Sequence, residues 1–210
     1  MTEHELFEFI NNNNVKEIRR YLNAHPQAAG KKDYCGWFTL HYVARWNSNP
    51  GVVRMILDAH PEAAAKKDGG DNHPLHYAAF NSNPEVFKML LDTYPEAAKT
   101  KNRRGELPLH YAANWNENPE VVRMILDAYP QAAAEKDDDD QFPLHNAAHN
   151  PNKEVKKLLL KATLRVIRRP LSAKIIQRAW KECRYNPAYK MCERVLERGV
   201  WESINKGDTV

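Results

Sequence analysis

The chain has 210 residues, of which 42% are hydrophobic and 28% charged, with 31 Lys or Arg against 27 Asp or Glu. This composition can supply a buried core, but the mean hydropathy of −0.73 predicts no transmembrane helix, which needs about 18 consecutive apolar residues. The three cysteines, Cys35, Cys183 and Cys192, form an odd set without the paired spacing of a zinc site. We interpret them as reduced thiols of an intracellular protein, in the cytoplasm or the nucleus.

Charge is distributed unevenly along the chain. Residues 153–210 hold 15 Lys or Arg and 6 Asp or Glu, whereas residues 1–152 hold 16 and 21. The net charges are therefore +9 and −5. This difference separates a mildly acidic body from a strongly basic C-terminal part.

A six-residue phrase recurs four times and organises the chain. Pro-Leu-His-Tyr-Ala-Ala stands at 74–79 and 108–113, with one change at 143–148 and two at 39–44. The four histidines of the phrase are separated by 35, 34 and 35 positions; they are His41, His76, His110 and His145. Self-similarity at this period predicts an all-α solenoid of stacked helix-turn-helix units, none of which buries its apolar face alone.

Residues 1–33 are predicted to form an N-terminal capping half-repeat. Leu6 and Ile10 keep helical spacing, a polar break follows, and Ile18 and Leu22 resume the apolar stripe. The Pro-Leu-His phrase is missing from this stretch. That absence is expected of a terminal unit with one solvated face.

Four full units are predicted to follow the half-repeat. The proline of each phrase suits the first position of a first helix, and an Asn such as Asn49 caps the second helix in front of Pro50. The second helix ends before a proline such as Pro61, because proline disfavours the helical conformation of the preceding residue. The predicted units are 34–68, 69–102, 103–137 and 138–169.

Residues 170–210 are predicted to form a basic helical tail of two short amphipathic helices, one around Trp180 and one around Val195. The tail admits three interpretations. It could cover the last unit as a cap, bind nucleic acid through its basic side chains, or bind calmodulin, because Ile176-Gln177 faintly resembles an IQ motif. We favour the cap, since an uncovered solenoid end exposes apolar surface.

The units resemble ankyrin repeats over about residues 4–165. The family pattern is Asp-x-x-Gly-x-Thr-Pro-Leu-His-x-Ala-Ala followed by Val-Val-x-Leu-Leu. Its glycine is present as Gly36 and Gly105 and is replaced by Asp71 and Asp140, which tolerate a left-handed turn. Units that close with Pro-Glu-Ala-Ala resemble those of protists, algae and large DNA viruses, so a viral chain would act in a host cell. The resemblance implies an ankyrin solenoid that acts as a non-catalytic adaptor or sequestering scaffold.

No pattern in the sequence predicts an enzyme, a cofactor or a metal site. The four histidines occur once per unit, so they lie one unit apart and do not converge on a metal or substrate. In the ankyrin family this histidine bonds to backbone groups of adjacent turns, and we expect that structural role here. The run from Asp137 to Asp140 lacks the spaced ligands, glycine and distal glutamate of a calcium loop, and we interpret it as a solvated hairpin tip.

Ankyrin ligands meet a concave face that is formed by the hairpin tips and the exposed side of the first helices. The matching positions predict these partner contacts: Tyr34, Trp37, Tyr42, Arg45, Trp46, Tyr77, Phe80, Arg103, Arg104, Tyr111, Asn114, Trp115, Asp138 and Asp139. Other positions on the same pattern include Asn72, Asn81, Glu106 and Asn150. Trp46 and Trp115 are favoured as binding hot spots, because aromatic side chains supply large contact areas with few rotors. The alternative is that the aromatics only fill grooves between units.

The sequence therefore predicts a monomer that binds another protein and has no membrane segment. The alternative function is a nucleic-acid-associated factor that acts through the basic tail. Phosphate contacts would make that affinity fall steeply with salt, whereas a mostly apolar protein interface is much less sensitive.

Overall fold

The computed structural model describes residues 3–32 and 36–167. The predictions for Tyr34, Cys35 and residues 170–210 lie outside this range. The described α-helices are α1 (Glu3–Asn11), α2 (Val15–Ala24), α3 (Thr39–Trp46), α4 (Pro50–Ala59), α5 (Pro74–Ala78), α6 (Pro84–Thr93), α7 (Pro108–Trp115), α8 (Pro119–Ala128), α9 (Pro143–Asn146) and α10 (Lys153–Ile167).

The helices pack in two rows. Helices α3, α5, α7 and α9, the first helices of the four units, contact one another in sequence, and α2, α4, α6 and α8 form a second row. The core includes Leu40, Leu75 and Leu109 from the first row, each at most 1% exposed. Each unit thus buries its apolar side against its neighbours, and the all-α repeat architecture is confirmed.

Asparagine caps begin the second helices, as predicted. The side-chain oxygen of Asn49 accepts a hydrogen bond from the Gly51 N–H at 2.9 Å, and Pro50 occupies the first helical position, where no donor is missed. Equivalent caps of 2.7–3.0 Å begin the other second helices; they join Asn83 to Glu85, Asn118 to Glu120 and Asn152 to Glu154.

The segment after each of α2, α4, α6 and α8 is a 3-10 helix that the sequence did not predict. These segments are Pro26–Gly30, Pro61–Ala65, Pro95–Lys99 and Pro130–Ala134. Each contains a pair of alanines that is at most 8% exposed, for example Ala63 and Ala64. The alanines have no side chain beyond Cβ, so the short helices can pack closely against the neighbouring elements.

Candidate functional site

The hairpin tips are short turns joined to one another by backbone hydrogen bonds. The Asn102 N–H donates to the Glu106 carbonyl within one tip, and the Arg103 N–H donates to the Gly70 carbonyl of the preceding tip, both at 3.0 Å. Gly105 has a φ of 69°, in the left-handed region. Asp71 and Asp140 adopt nearly the same angle, 63° and 62°, so the expectation that aspartate tolerates the left-handed turn at these positions is confirmed.

Four of the predicted partner contacts are exposed at these tips: Arg103, Arg104, Asp138 and Asp139. Arg103 forms a 3.1 Å ion pair with Asp71. The Arg103 side chain is 67% and the Asp71 side chain 40% exposed, so solvent screens this pair and it contributes little to folding. Among the described residues, no cluster of three or more His, Cys, Asp or Glu side chains could hold a metal ion.

Tyr77 is a correction to the predicted contact set, because it is only 7% exposed. Its hydroxyl donates a 2.6 Å hydrogen bond to the buried carboxylate of Asp68. Burial raises the pKa of Asp68, but hydrogen bonds from Tyr77 and from the backbone N–H groups of Asn72 and Gly70 outweigh burial and hold this pKa below its usual value. Burial and the neighbouring carboxylate raise the pKa of Tyr77. Tyr77 therefore anchors the hairpin and is unavailable to a partner.

A similar polar group fixes the next hairpin and crosses between units. Asn102 donates to the Asn72 side-chain oxygen at 2.8 Å and to the Glu106 carboxylate at 3.1 Å. The hydroxyl of Tyr111 lies 3.0 Å from the Asn102 amide nitrogen. Asn72 and Glu106 are at most 9% exposed, so the prediction that they lie on the contact surface is wrong. Both side chains instead hold the hairpin tips together.

His41 and His110 have the structural role that the resemblance implies. The Nδ1 atom of His41 accepts a hydrogen bond from the Phe38 N–H at 3.2 Å. Its Nε2 atom lies 3.0 Å from the Asn72 carbonyl of the next unit, to which it donates in this tautomer. His110 repeats both bonds, with the Leu107 N–H and the Gln141 carbonyl.

A ladder of buried asparagines joins the loops after the first helices. The asparagine ladder consists of Asn47, Asn81, Asn116 and Asn150, each at most 8% exposed. The amide group of Asn116 donates to the Ala79 and Asn81 carbonyls of the preceding unit at 2.9 and 2.8 Å, and its oxygen accepts from the Asn118 N–H at 2.8 Å. Asn81 and Asn150 form the same three bonds. Their predicted place on the contact surface is therefore wrong.

The helix-capping asparagines form a second track beside the ladder. Asn83 donates to the Ser48 carbonyl at 2.8 Å, Asn118 to the Ser82 carbonyl at 3.1 Å, and Asn152 to the Glu117 carbonyl at 2.6 Å. In unit one the track reaches the capping half-repeat, because Asn49 donates to the Asn13 side chain at 3.0 Å. An Asn-x-Asn sequence in every unit thus fixes one loop onto the preceding loop.

The units alternate in the length of the first helix. One residue more separates the phrase histidine from the ladder asparagine in units one and three than in units two and four. Accordingly α3 and α7 have eight residues, whereas α5 has five and α9 has four. The added residue directly precedes the ladder asparagine and is tryptophan in both cases, Trp46 and Trp115. These two side chains are 61% and 62% exposed.

Five predicted contact residues form a continuous surface, which we call the aromatic band: Arg45, Trp46, Phe80, Tyr111 and Trp115. The Arg45 guanidinium carbon lies 4.6 Å from the Trp46 ring and 4.2 Å from the Phe80 ring. Phe80 in turn lies 5.0 Å from the Tyr111 ring and 6.4 Å from the Trp115 ring. The band therefore links units one, two and three through cation–π and aromatic contacts.

The other predicted contacts lie elsewhere. Trp37 is half-buried against the Tyr77 ring at 4.3 Å. Tyr42 faces the capping half-repeat, where its hydroxyl donates to Asn11 at 2.6 Å and its ring meets Phe7 at 5.3 Å. Asn114 is half-buried on the first helix of unit three. The sequence thus identified the members of the aromatic band, but not that they adjoin one another across three units.

None of the described helices is long and apolar enough to cross a membrane. A comparison with curated proteins finds no match for this chain. Two family models do match: one described as ankyrin repeats (many copies) covers residues 63–112, and one described as ankyrin repeats (3 copies) covers residues 94–169. Together they span more than half of the chain. The chain therefore belongs to the ankyrin-repeat family, whose repeats generally mediate protein–protein interaction.

Proposed function

We propose that this protein is a non-catalytic adaptor or sequestering scaffold, and that its partner binds on the concave face formed by the hairpin tips and first helices. The observation that carries the proposal is the exposure of Trp46 and Trp115, the two large hydrophobic side chains that stand out from the surface of the described residues. Exposed aromatics that adjoin one another across several units are a usual mark of a protein-binding surface.

The remaining surface supports this assignment. Arg103, Arg104, Asp138 and Asp139 provide exposed charges of both signs at the hairpin tips. Such charges fit the polar rim that surrounds an apolar centre in protein interfaces. The competing nucleic-acid function depends on residues 170–210, which lie outside the described range, and the body formed by residues 1–152 has a net charge of −5.

The test is affinity capture with the full chain and with the double variant Trp46→Ala/Trp115→Ala. Hot-spot aromatics contribute about 2 kcal/mol or more each to binding, so the proteins that mass spectrometry identifies with the native chain should no longer be captured by the double variant. Exposed substitutions change folding stability by about 0.5 kcal/mol or less, so its melting temperature should barely move. A double variant that retains every partner would place the interface elsewhere. Partners that are released at high salt, and that a chain without residues 170–210 no longer captures, would instead favour the nucleic-acid function.

A further inference from the structure

The aromatic band contains a cation that no described residue neutralises. The ion pairs among residues 3–32 and 36–167 do not include Arg45. The Nε atom of Arg45 is buried and has no hydrogen-bond partner within those residues. The guanidinium instead lies against Trp46 and Phe80. Besides this buried Nε, the guanidinium has two terminal Nη groups, and a planar cation against aromatic faces is well suited to bind a carboxylate through such a pair of donors.

The separation of the two exposed tryptophans limits the length of a ligand that contacts both. The steps from the Trp46 ring to the Arg45 guanidinium, to the Phe80 ring and to the Trp115 ring are 4.6, 4.2 and 6.4 Å. The tryptophan rings are therefore no more than about 15 Å apart. An extended peptide rises about 3.3 Å per residue, so residues i and i+4 lie about 13 Å apart and point to the same side.

The order of groups in the band sets the pattern of the ligand. Arg45 adjoins Trp46 and lies over Phe80, which in turn adjoins Trp115. Phe80 belongs to unit two, whose shorter first helix carries no tryptophan of its own. On an extended peptide, residue i+2 points to the same side as residues i and i+4 and lies midway between them. An acidic side chain at i+2 would therefore reach Arg45 while the outer side chains contact Trp46 and Trp115.

On these grounds, and resting on the proposed function, we propose that the aromatic band binds an extended segment of a partner protein with the pattern apolar-x-acidic-x-apolar. The acidic side chain pairs with Arg45, and the apolar side chains at i and i+4 pack on Trp46 and Trp115. Aromatic surroundings lower the local dielectric constant and strengthen the pair relative to one in water. Single-stranded nucleic acid fits less well, because a groove for it needs basic side chains that follow several phosphates and Arg45 is the only cation of the band.

The experiment is a selection of phage-displayed random 12-residue peptides on the full chain. Enriched peptides should share the apolar-x-acidic-x-apolar pattern. The most enriched peptide is then synthesised with a fluorescent label, and its Kd is measured by polarisation. Replacing its acidic residue with the matching amide should weaken binding at least about tenfold, a test that needs no variant protein to fold.

Protein variants locate the contact. Arg45→Gln and Trp115→Ala should each weaken the peptide at least about tenfold. The Kd of Arg45→Lys should lie between those of Arg45→Gln and the native chain, because lysine keeps the charge but loses the planar donor pair. Arg54→Ala removes an exposed arginine of α4, outside the band, and should leave the Kd unchanged.

Several results would overturn the proposal. The selection could yield no peptides, or peptides without the acidic residue. The amide peptide could bind as tightly as the acid. Arg45→Gln and Arg54→Ala could change the Kd of the peptide equally. A labelled 20-nucleotide single-stranded RNA that binds the native chain and is lost from Trp115→Ala would also overturn it, in favour of base stacking. If acidic peptides fail while the double tryptophan variant still loses its protein partners, the proposed function stands and only this pattern is wrong.

Discussion

Units one and three differ from units two and four by one residue, and the position of that residue is instructive. All four units share the histidine bond to the first turn and the ladder asparagine. Between these two fixed points, units one and three hold one more residue, and the first helix lengthens to contain it. The result is an exposed tryptophan in alternate units.

The comparison separates the parts of a unit that determine stacking from the part that is free to vary. The ladder asparagines are buried and form three hydrogen bonds to backbone groups, or two in the case of Asn47, so a shift of one residue at this point would leave several polar groups unpaired. The last turns of α3 and α7 accept such bonds at the Ala44 and Ala113 carbonyls, but the side chains of Trp46 and Trp115 form none with the described residues. Variation is therefore concentrated on the surface that we propose for binding.

The largest expected effect is in the core, where long and short units should behave alike. Leu75 of unit two and Leu109 of unit three are 1% and 0% exposed, so Leu75→Ala and Leu109→Ala should each lower the free energy of unfolding by about 2–5 kcal/mol. Leu144→Ala in unit four should have a smaller effect, because Leu144 is only half-buried. Denaturant unfolding measures all three. A loss at Leu109 no larger than at Leu144 would contradict the assigned register of the phrase.

A smaller loss is expected in the ladder, again equal in the two kinds of unit. Asn81→Ala and Asn116→Ala each leave two buried carbonyls and one N–H without their partner, and should lower the free energy of unfolding by about 2 kcal/mol. The control is Asn114→Ala on the half-buried side of α7, which should change it by about 0.5 kcal/mol or less. Equal melting temperatures for Asn116→Ala and Asn114→Ala would show that the ladder does not stabilise the stack.

The local features of each unit could be predicted from the sequence. The prolines and the asparagine caps depend on contacts within a few residues, and the resemblance to ankyrin repeats adds the stacking and the role of the histidines. The ladder could not be predicted in this way, because Asn81 bonds to residues 34 and 37 positions away, and only the packed stack brings them together. Its one sequence signal is the Asn-x-Asn that every unit repeats.

Burial at the candidate site was equally hard to predict. Tyr42, Tyr77 and Tyr111 occupy the same position of the phrase, yet only Tyr77 is buried. The hydroxyl groups of the three tyrosines meet different polar partners: that of Tyr77 donates to Asp68, that of Tyr111 lies beside Asn102, and that of Tyr42 donates to Asn11. The shared phrase therefore does not determine how deeply its tyrosine is buried.

His73 of unit two provides a comparison with unit three, where Leu107 occupies the same position. His73 is 2% exposed, and its Nδ1 atom has no hydrogen-bond partner within the described residues. His73→Leu should therefore raise the free energy of unfolding by about 1 kcal/mol at pH 7, since it replaces an unsatisfied polar group with an apolar one of similar size. Thermal unfolding of the variant and the native chain measures this.

The same variant should reduce sensitivity to acid. Burial lowers the pKa of His73 to about 4 and that of His76 to about 3, so the unfolded chain binds protons more readily than the folded chain below pH 6.5. Stability is thus complete above about pH 7 and falls as the pH drops towards these values, by about 1.4 kcal/mol per pH unit for each histidine. His73→Leu should remove the part of this acid-dependent loss of stability that comes from His73. An unchanged pH profile would show that His73 does not stay neutral in the folded protein.

The smallest expected effect is a deletion that converts unit one into the form of unit two. Removing Trp46 places Arg45 directly before Asn47, just as Phe80 stands before Asn81. Because Trp46 is 61% exposed and the ladder keeps its register, α3 should shorten and the free energy of unfolding should change by less than about 1 kcal/mol. Deleting Asn47 instead removes the same number of residues but takes away the bonds to the Ile10 carbonyl and to the Asn49 N–H, and should be several times more destabilising. Denaturant unfolding of the two deletion variants shows whether stability depends on the length of the first helix or on the position of the ladder asparagine. If both deletions unfold at the same denaturant concentration, the chain tolerates a shift of the ladder, and the alternation of long and short helices has another cause.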